Sequence, residues 1–185
     1  QYDQVAGNLI KETDHLGRVT TYEYDGFDNL IKTTYPDNVI ETQAKEWIEG
    51  GNKYQTIANS NISPYVKKTY NISGQLLESE TLNQGGIVKT AKEYYENGEL
   101  HKEYEPYSAE KGDFTEYFYT TEGSLDHKVL PNGESVTYSY SGLSTTVNSP
   151  RETRTETKDA YGLTDEVTDD GGTIDYSYYG DGNLH

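Results

Sequence analysis

The sequence predicts an all-β fold: a repetitive antiparallel meander of β-hairpins that forms a curved sheet one layer thick. Three observations lead to this prediction. Short runs are rich in Thr, Tyr, Val and Ile, turn-forming residues separate these runs, and the spacing repeats along the chain. No apolar residues recur at helical spacing over a long stretch, so helix is expected to be minor.

The strands and turns follow one another closely near the start of the chain. Leu9–Thr13 and Arg18–Tyr24 are predicted strands, and the turn residues between them include Asp14 and Gly17. Alternate side chains of a strand share a face, so doublets such as Tyr22 and Tyr24 are predicted to align as ladders of rings on adjoining strands. Only 32% of the residues are hydrophobic, which is too few for the two packed faces of a sandwich and favours a single layer.

A tyrosine, a glycine and a leucine recur in the order Tyr-x-x-x-Gly-x-Leu, and in one copy Asp28 replaces the glycine. Self-similarity at a period of about 20–25 residues is typical of repeat proteins, whose units are stable only when stacked. We assign the following structural positions of the repeat: Tyr24, Leu30, Tyr70, Gly74, Leu76, Tyr119, Gly123, Leu125, Tyr178, Gly182 and Leu184.

The whole chain, residues 1–185, is interpreted as a single array of about seven to eight repeats that is cut mid-repeat at both ends. Residues 44–66 have lost the repeat marks and are interpreted as a degenerate repeat. Residues 106–113 are interpreted as an inserted loop.

Composition limits the functions that are open to the chain. The net charge of −17 disfavours nucleic acid and anionic membranes as partners, because both require clusters of Lys and Arg. There is no cysteine, which excludes disulfides and thiolate metal sites, and no apolar stretch is long enough for a membrane span. No cofactor is expected.

With these repeats in register, the chain resembles the RHS repeats, which are also called YD repeats. The resemblance is carried by YDQVAGNLIKETDHLGRVTTYEYDGFDNLIKTTYPDNVIE, by YTTEGSLDHKVLPNGESVTYSY and by DAYGLTDEVTDDGGTIDYSYYGDGNL. It implies a strip of β-sheet that spirals into a hollow shell. In bacterial toxins and wall-associated proteins of this kind the shell can enclose a C-terminal toxin, and in teneurins a similar shell serves adhesion. Family members that release their cargo by self-cleavage use a further core motif, which is not found in this sequence.

The expected function is therefore a non-catalytic structural segment of such a shell in a large secreted or cell-surface bacterial protein. The resemblance implies a role in toxin encapsulation or contact-dependent competition, and it is the only basis for the expected location. The expected partners are the remainder of a longer chain, its toxin cargo, and a second copy that pairs through exposed sheet edges.

An alternative is a module that binds carbohydrate or a cell surface through exposed aromatic rings. Trp47 and Tyr107 break the repeat register, so they are the candidate ligand-binding residues. A hydrolase that uses paired carboxylates is a third possibility, but the sequence singles out no pair.

Two acidic turns, at 169–172 and 180–183, offer oxygens to calcium but lack the ligand pattern of known calcium loops. The four histidines lie in different repeats, without the spacing of a metal site.

Overall fold

The computed structural model of the chain describes residues 1–185, apart from the side chain of Asn83. The described residues form sixteen strands in one sheet, in which each strand pairs with the next one along the chain, and a short 3-10 turn at Glu49–Gly51. The predicted all-β meander in a single sheet is confirmed. The strands are β1 (Lys11–Thr13), β2 (Val19–Tyr24), β3 (Leu30–Thr34), β4 (Ile40–Ile48), β5 (Lys53–Ser60), β6 (Val66–Asn71), β7 (Leu76–Asn83), β8 (Gly86–Tyr94), β9 (Leu100–Tyr107), β10 (Phe114–Tyr119), β11 (Leu125–Val129), β12 (Ser135–Ser141), β13 (Ser144–Asn148), β14 (Thr153–Lys158), β15 (Thr164–Asp169) and β16 (Gly172–Asp175).

The chain forms two compact units. Unit 1 comprises residues 1–92 and 104–112, and unit 2 comprises residues 93–103 and 113–185. Within unit 1, the segment at 44–66 contributes most of the β4–β5 hairpin, whose strands pair from Glu41↔Ser60 to Ile48↔Lys53. The segment expected to be a loop at 106–113 begins as strand, because β9 continues through Tyr107.

One type of turn recurs throughout the sheet. In the turn from Leu130 to Glu134, the amide of Leu130 donates to the carbonyl of Glu134 at 2.8 Å, and the amide of Gly133 donates to the carbonyl of Leu130 at 2.9 Å. The fourth residue has a positive φ, +82° in Gly133, which is the geometry of a three-residue hairpin loop that ends in a left-handed residue. Among the described residues, turns with the same two bonds begin at Asp14, Asp25, Tyr35, Asn71, Tyr95, Thr120, Leu130, Asp159 and Tyr179.

A side-chain oxygen completes each of these turns, from one of two positions. In the first form the leading residue accepts: Asp25 Oδ1 accepts the amides of Phe27 and Asn29, both at 2.9 Å. In the second form the third residue accepts: Asn132 Oδ1 accepts the amide of Glu134 at 3.0 Å. Asp and Asn are favoured in turns because their short side chains reach the backbone in this way. The first form recurs at Asp14, Asn71, Thr120 and Asp159, and the second at Asp37, Asn97 and Asp181.

The tyrosine and the leucine of the repeat stand on either side of the turn. The glycine between them supplies the positive φ, and Asp28, which replaces it in one copy, has a φ of +63°. The tyrosine and the leucine are partners on adjoining strands, so the motif Tyr-x-x-x-Gly-x-Leu describes one closed hairpin end. These pairs are Tyr24↔Leu30, Tyr70↔Leu76, Tyr119↔Leu125 and Tyr178↔Leu184. Tyr2↔Leu9 is a fifth pair, whose turn is one residue longer.

The second tyrosine of three Tyr-x-Tyr doublets has a role beyond the predicted ladders of rings. The sequence predicts ladders of rings. In the structure, the hydroxyl groups of these tyrosines also donate hydrogen bonds to backbone carbonyls of a neighbouring strand. In each case the acceptor carbonyl lies two residues after the glycine of an earlier repeat. The bonds are Tyr24 Oη to the Leu9 carbonyl at 2.9 Å, Tyr140 Oη to the Leu125 carbonyl at 2.9 Å, and Tyr178 Oη to the Thr164 carbonyl at 2.8 Å.

The hydrophobic core is thin, as a sheet of one layer requires. Among the described residues, the buried apolar side chains are Ala91, Val136 and Val167. Most tyrosines are half-buried, which suits a side chain that is apolar at the ring and polar at the hydroxyl. Stability therefore depends on hairpin hydrogen bonds and on cross-strand pairs more than on a packed interior.

Replacing Gly133 with Ala should lower the free energy of unfolding by about 1–2 kcal/mol, because an L-residue resists the left-handed conformation. No atom lies within 4 Å of the position that the new Cβ would take, so the effect comes from the backbone alone. Chemical denaturation of the original chain and of the variant measures the difference in the free energy of unfolding.

Gly26→Ala is the matched control, because Gly26 lies in a turn of the same type without a positive φ and with equally open space. It should leave the stability unchanged or raise it slightly. Equal losses in the two variants would show that the turn does not require the left-handed residue.

Candidate functional site

An aromatic ladder crosses β4, β5 and β6 in unit 1. Trp47 pairs with Tyr54 across β4 and β5, and Tyr54 pairs with Tyr70 across β5 and β6. The rings of Trp47 and Tyr54 are tilted, with centroids 5.4 Å apart, and those of Tyr54 and Tyr70 are stacked at 4.9 Å. The three rings therefore form a continuous row on one face of the sheet.

The end of this row is open to solvent. Trp47 is 59% exposed, and the ammonium group of Lys45 lies over the rings of Trp47 and Tyr54, at 5.5 Å and 4.4 Å from their centroids. Trp47 lies outside the repeat spacing, and yet it is the exposed end of an aromatic ladder. An exposed indole beside a cation offers a planar apolar surface with adjacent hydrogen-bond donors.

Tyr107, the other candidate ligand-binding residue, lies at the end of β9 and belongs to unit 1. Its hydroxyl donates to Glu78 Oε2 at 2.8 Å, and burial together with this bond raises the pKa of the Tyr107 phenol. In unit 1, Tyr107 contacts Glu78, whereas Trp47 contacts Tyr54 and Lys45. The hydroxyl of Tyr107 is already engaged, which suits a structural contact better than a contact with a ligand.

Glu78 belongs to a network of charges that crosses β6, β7 and β8. Lys67 pairs with Glu80, and Glu80 pairs with Lys89, so the three side chains form a row on one face. Glu80 Oε2 lies 3.2 Å from Lys67 Nζ and 3.3 Å from Lys89 Nζ, and Lys89 Nζ also lies 3.8 Å from Glu78 Oε1. Glu80 is only 6% exposed, so its charge is compensated by the two lysines rather than by water.

These lysines decide the protonation of Glu80. Burial alone would raise the pKa of the Glu80 carboxyl, but the hydrogen bonds and charges of Lys67 and Lys89 outweigh it and hold the pKa below its usual value. Burial likewise opposes the charge of Lys67, and the contact with Glu80 overcomes it and raises the pKa of the lysine. Both groups are therefore charged at neutral pH.

A groove at the start of unit 1 bears on the hydrolase alternative. The groove has a volume of about 740 Å³, and its lining includes Glu12, Glu41 and Arg18. Glu12 accepts the hydroxyl of Tyr22 at 3.1 Å, and Glu41 accepts that of Tyr35 at 2.9 Å. These two carboxylates are held as hydrogen-bond acceptors for tyrosine.

The remaining polar candidates have local partners. In unit 2, His101 lies 2.8 Å from Glu116 and stacks on Tyr95, with ring centroids 4.3 Å apart. His127 lies 2.7 Å from Asp126 and also stacks on the ring of Phe118. Within the part of the chain that the structure describes, no group of three or more His, Cys, Asp or Glu side chains is placed to hold a metal ion.

The acidic turns use their carboxylates internally. Asp169 Oδ1 accepts the amide of Gly171 at 2.7 Å, and Asp181 Oδ1 accepts that of Asn183 at 3.1 Å. These bonds account for the residue types found at these turns.

Comparison with known proteins finds one matching family model and several solved structures of similar fold. Residues 2–40 match the model of the family described as RHS Repeat. The crystal structure of TcdB2-TccC3 is similar to 95% of this chain with a TM-score of 0.62 and 10% identity, and that of TcdB2-TccC3-TEV to 90% with a TM-score of 0.59 and 17% identity. The chain spans 14% and 10% of those two chains. The likeness shows the shared fold, and the resemblance to RHS repeats is confirmed.

No curated protein matches the chain in sequence. Among the described residues, no helix is long and apolar enough to cross a membrane.

Replacing Glu80 with Gln should lower the free energy of unfolding at neutral pH by about 1–3 kcal/mol, because two lysines lose their buried counter-charge. The pKa of Glu80 is depressed in the folded state, so its contribution is present above the unfolded pKa and is lost as pH falls through the folded pKa. The difference between the original chain and the variant should therefore shrink on acidification. Urea titrations at several pH values measure it.

Glu23→Gln is the control, because Glu23 forms a shorter but more exposed ion pair, 2.7 Å to Lys32, in which the side chains of Glu23 and Lys32 are 56% and 35% exposed. Its loss should cost less than about 1 kcal/mol. A pH-independent difference for Glu80→Gln would contradict the charge network.

Proposed function

We propose that this RHS-repeat chain, which shares its fold with TcdB2-TccC3, is a non-catalytic segment of the wall of a larger protein shell. The observation that carries the proposal is the strand order: every strand pairs with its chain neighbour in one open sheet. Such a sheet grows by adding hairpins at its edges and has no interior of its own in which to build a site.

The small share of the similar chains that this chain spans supports the proposal. The match covers 95% of this chain but only 14% of the TcdB2-TccC3 chain. The strands β1 and β16 at the edges of the sheet are short, and Gln1 already bonds to both backbone groups of Lys11 in β1, at 2.6 Å and 3.2 Å. We infer that further strands of a longer chain, or a second copy, extend the sheet beyond these edges. A wall segment needs such edges.

The finer role follows from the RHS resemblance. We propose that the shell belongs to a large bacterial protein that is secreted or displayed at the cell surface, and that it encloses a toxin or acts in contact-dependent competition. The high net charge of −17 suits a large exposed wall, because it keeps the protein soluble and disfavours aggregation.

Electron cryomicroscopy of the longer natural protein that carries residues 1–185 tests the wall proposal. The expected result is a hollow particle in which these residues form part of a wall one sheet thick. A filled particle, or a separate globule formed by these residues, would reject it.

A second candidate function is carbohydrate binding, and the exposed aromatic row favours it. Trp47, Tyr54 and Tyr70 form a continuous row of rings, and Lys45 beside them supplies donors for hydroxyl groups. Tyr107, the other residue named from the sequence, is tied to Glu78. We therefore place the binding surface at Trp47, Tyr54 and Tyr70, which we call the aromatic row.

Trp47→Ala should abolish binding to glycans if the aromatic row is the binding surface, because stacking on the indole supplies most of the contact area. A glycan array with the original chain and the variant measures this. The control is Tyr161→Ala, which removes an aromatic ring that is 91% exposed. Absence of binding by the original chain, or equal loss in both variants, would refute the carbohydrate function and leave the wall proposal intact.

A further inference from the structure

Two turns of unit 2 carry the sequence Asn-Gly at the same place. Asn97-Gly98 and Asn132-Gly133 are the third and fourth residues of turns that begin at Tyr95 and Leu130. In such a sequence the backbone nitrogen of the glycine can attack the side-chain carbonyl carbon of the asparagine, because glycine has no side chain to hinder the approach. Both asparagines are exposed to water.

In both turns the side chain of the asparagine closes a small clasp. Asn132 Oδ1 accepts the amide of Glu134 at 3.0 Å, while its Nδ2 donates to Glu134 Oε2 at 2.7 Å. Asn97 makes the same two bonds to Glu99, at 3.1 Å and 2.7 Å. Each clasp therefore pairs one amide with one carboxylate.

The same turn also occupies the attacking nitrogen. The amide of Gly133 donates to the carbonyl of Leu130 at 2.9 Å, and that of Gly98 to the carbonyl of Tyr95 at 2.9 Å. Attack on the asparagine requires this nitrogen to lose its proton and turn toward the side chain. The closed turn opposes both changes, so the reaction must proceed from a locally opened turn.

We propose that Asn97 and Asn132 are deamidation sites whose reaction is controlled by the opening of their turns. The glycine nitrogen forms a bond to the side-chain carbonyl carbon, the bond from that carbon to the amide nitrogen breaks, and ammonia leaves. Water then opens the resulting succinimide to aspartate or isoaspartate. The net change is hydrolysis of one carboxamide, with water as the co-reactant.

Deamidation turns each clasp into a pair of like charges. An aspartate at 132 would face the carboxylate of Glu134 and would lose the donor that now binds it. The turn that begins at Tyr179 shows how an aspartate is accommodated at this place. There, Asp181 accepts Nδ2 of Asn183 at 2.8 Å, so the amide and the carboxylate have exchanged positions.

Isoaspartate has a larger effect than aspartate. It inserts an additional carbon into the main chain, and a three-residue loop cannot absorb that carbon while keeping both closing hydrogen bonds. The modification would loosen the end of the hairpin formed by β11 and β12 at Asn132.

Mass spectrometry of peptides from chains incubated at mildly alkaline pH, folded or unfolded in urea, tests the first part of the proposal. Asn97 and Asn132 should lose ammonia at least about tenfold more slowly in the folded chain, because the turn must open first. Asn71, which is followed by the β-branched Ile72, should react more slowly than either in urea. Equal rates in the folded and unfolded chains, or rates in urea no higher than that of Asn71, would overturn the proposal.

Two variants test the clasp. Asn132→Asp should speed hydrogen exchange of the turn amides of Leu130 and Gly133 by about two- to fivefold, as expected for the loss of an exposed polar pair. Adding Glu134→Asn rebuilds the arrangement of Asp181 and Asn183 and should restore slow exchange. Unchanged exchange in Asn132→Asp, or no recovery in the double variant, would show that the pairing of amide and carboxylate does not hold the turn.

Discussion

The recurring hairpin turn is the constraint on which the rest of the structure depends. Its two backbone hydrogen bonds and its left-handed fourth residue fix where each strand ends and which residues face one another across the next pair. The tyrosine before the turn and the leucine after it then become partners, as in Tyr70↔Leu76. A sequence that spaces these turns correctly specifies the sheet one hairpin at a time.

A sheet built in this way has little interior, and its stabilising contacts differ accordingly from those of a packed globule. The Tyr24 hydroxyl fastens a neighbouring strand through a carbonyl, the rings of Tyr54 and Tyr70 stack between strands, and Glu80 is held by two lysines. Each contact contributes a small amount of free energy and joins neighbouring strands only. Their sum over many hairpins gives a stable sheet without a large core.

The sequence was sufficient for the fold because its information is local. The left-handed position, which is held by glycine, Asp28 or Asn38, and the alternation of tyrosines lie within single hairpins, and each hairpin pairs with its neighbour. The environment of Trp47 could not be derived in this way. The β4–β5 hairpin turns at Glu49–Gly51, and this turn does not have the recurring pattern. The repeat motif therefore does not indicate the register that brings Trp47 opposite Tyr54.

The burial of Glu80 in the charge network is a second feature that local sequence patterns do not predict. A glutamate among lysines in an acidic sequence predicts a solvated surface, and yet Glu80 is one of the most buried polar side chains that the structure describes. Its burial depends on the register of three strands at once, since Lys67 and Lys89 reach it from opposite sides. In a sheet too thin to exclude water by apolar packing, a row of opposite charges can fill a central position if every charge has a partner. The network therefore suits a thin sheet, and it links the registers of β6, β7 and β8 through contacts that the repeat motif does not describe.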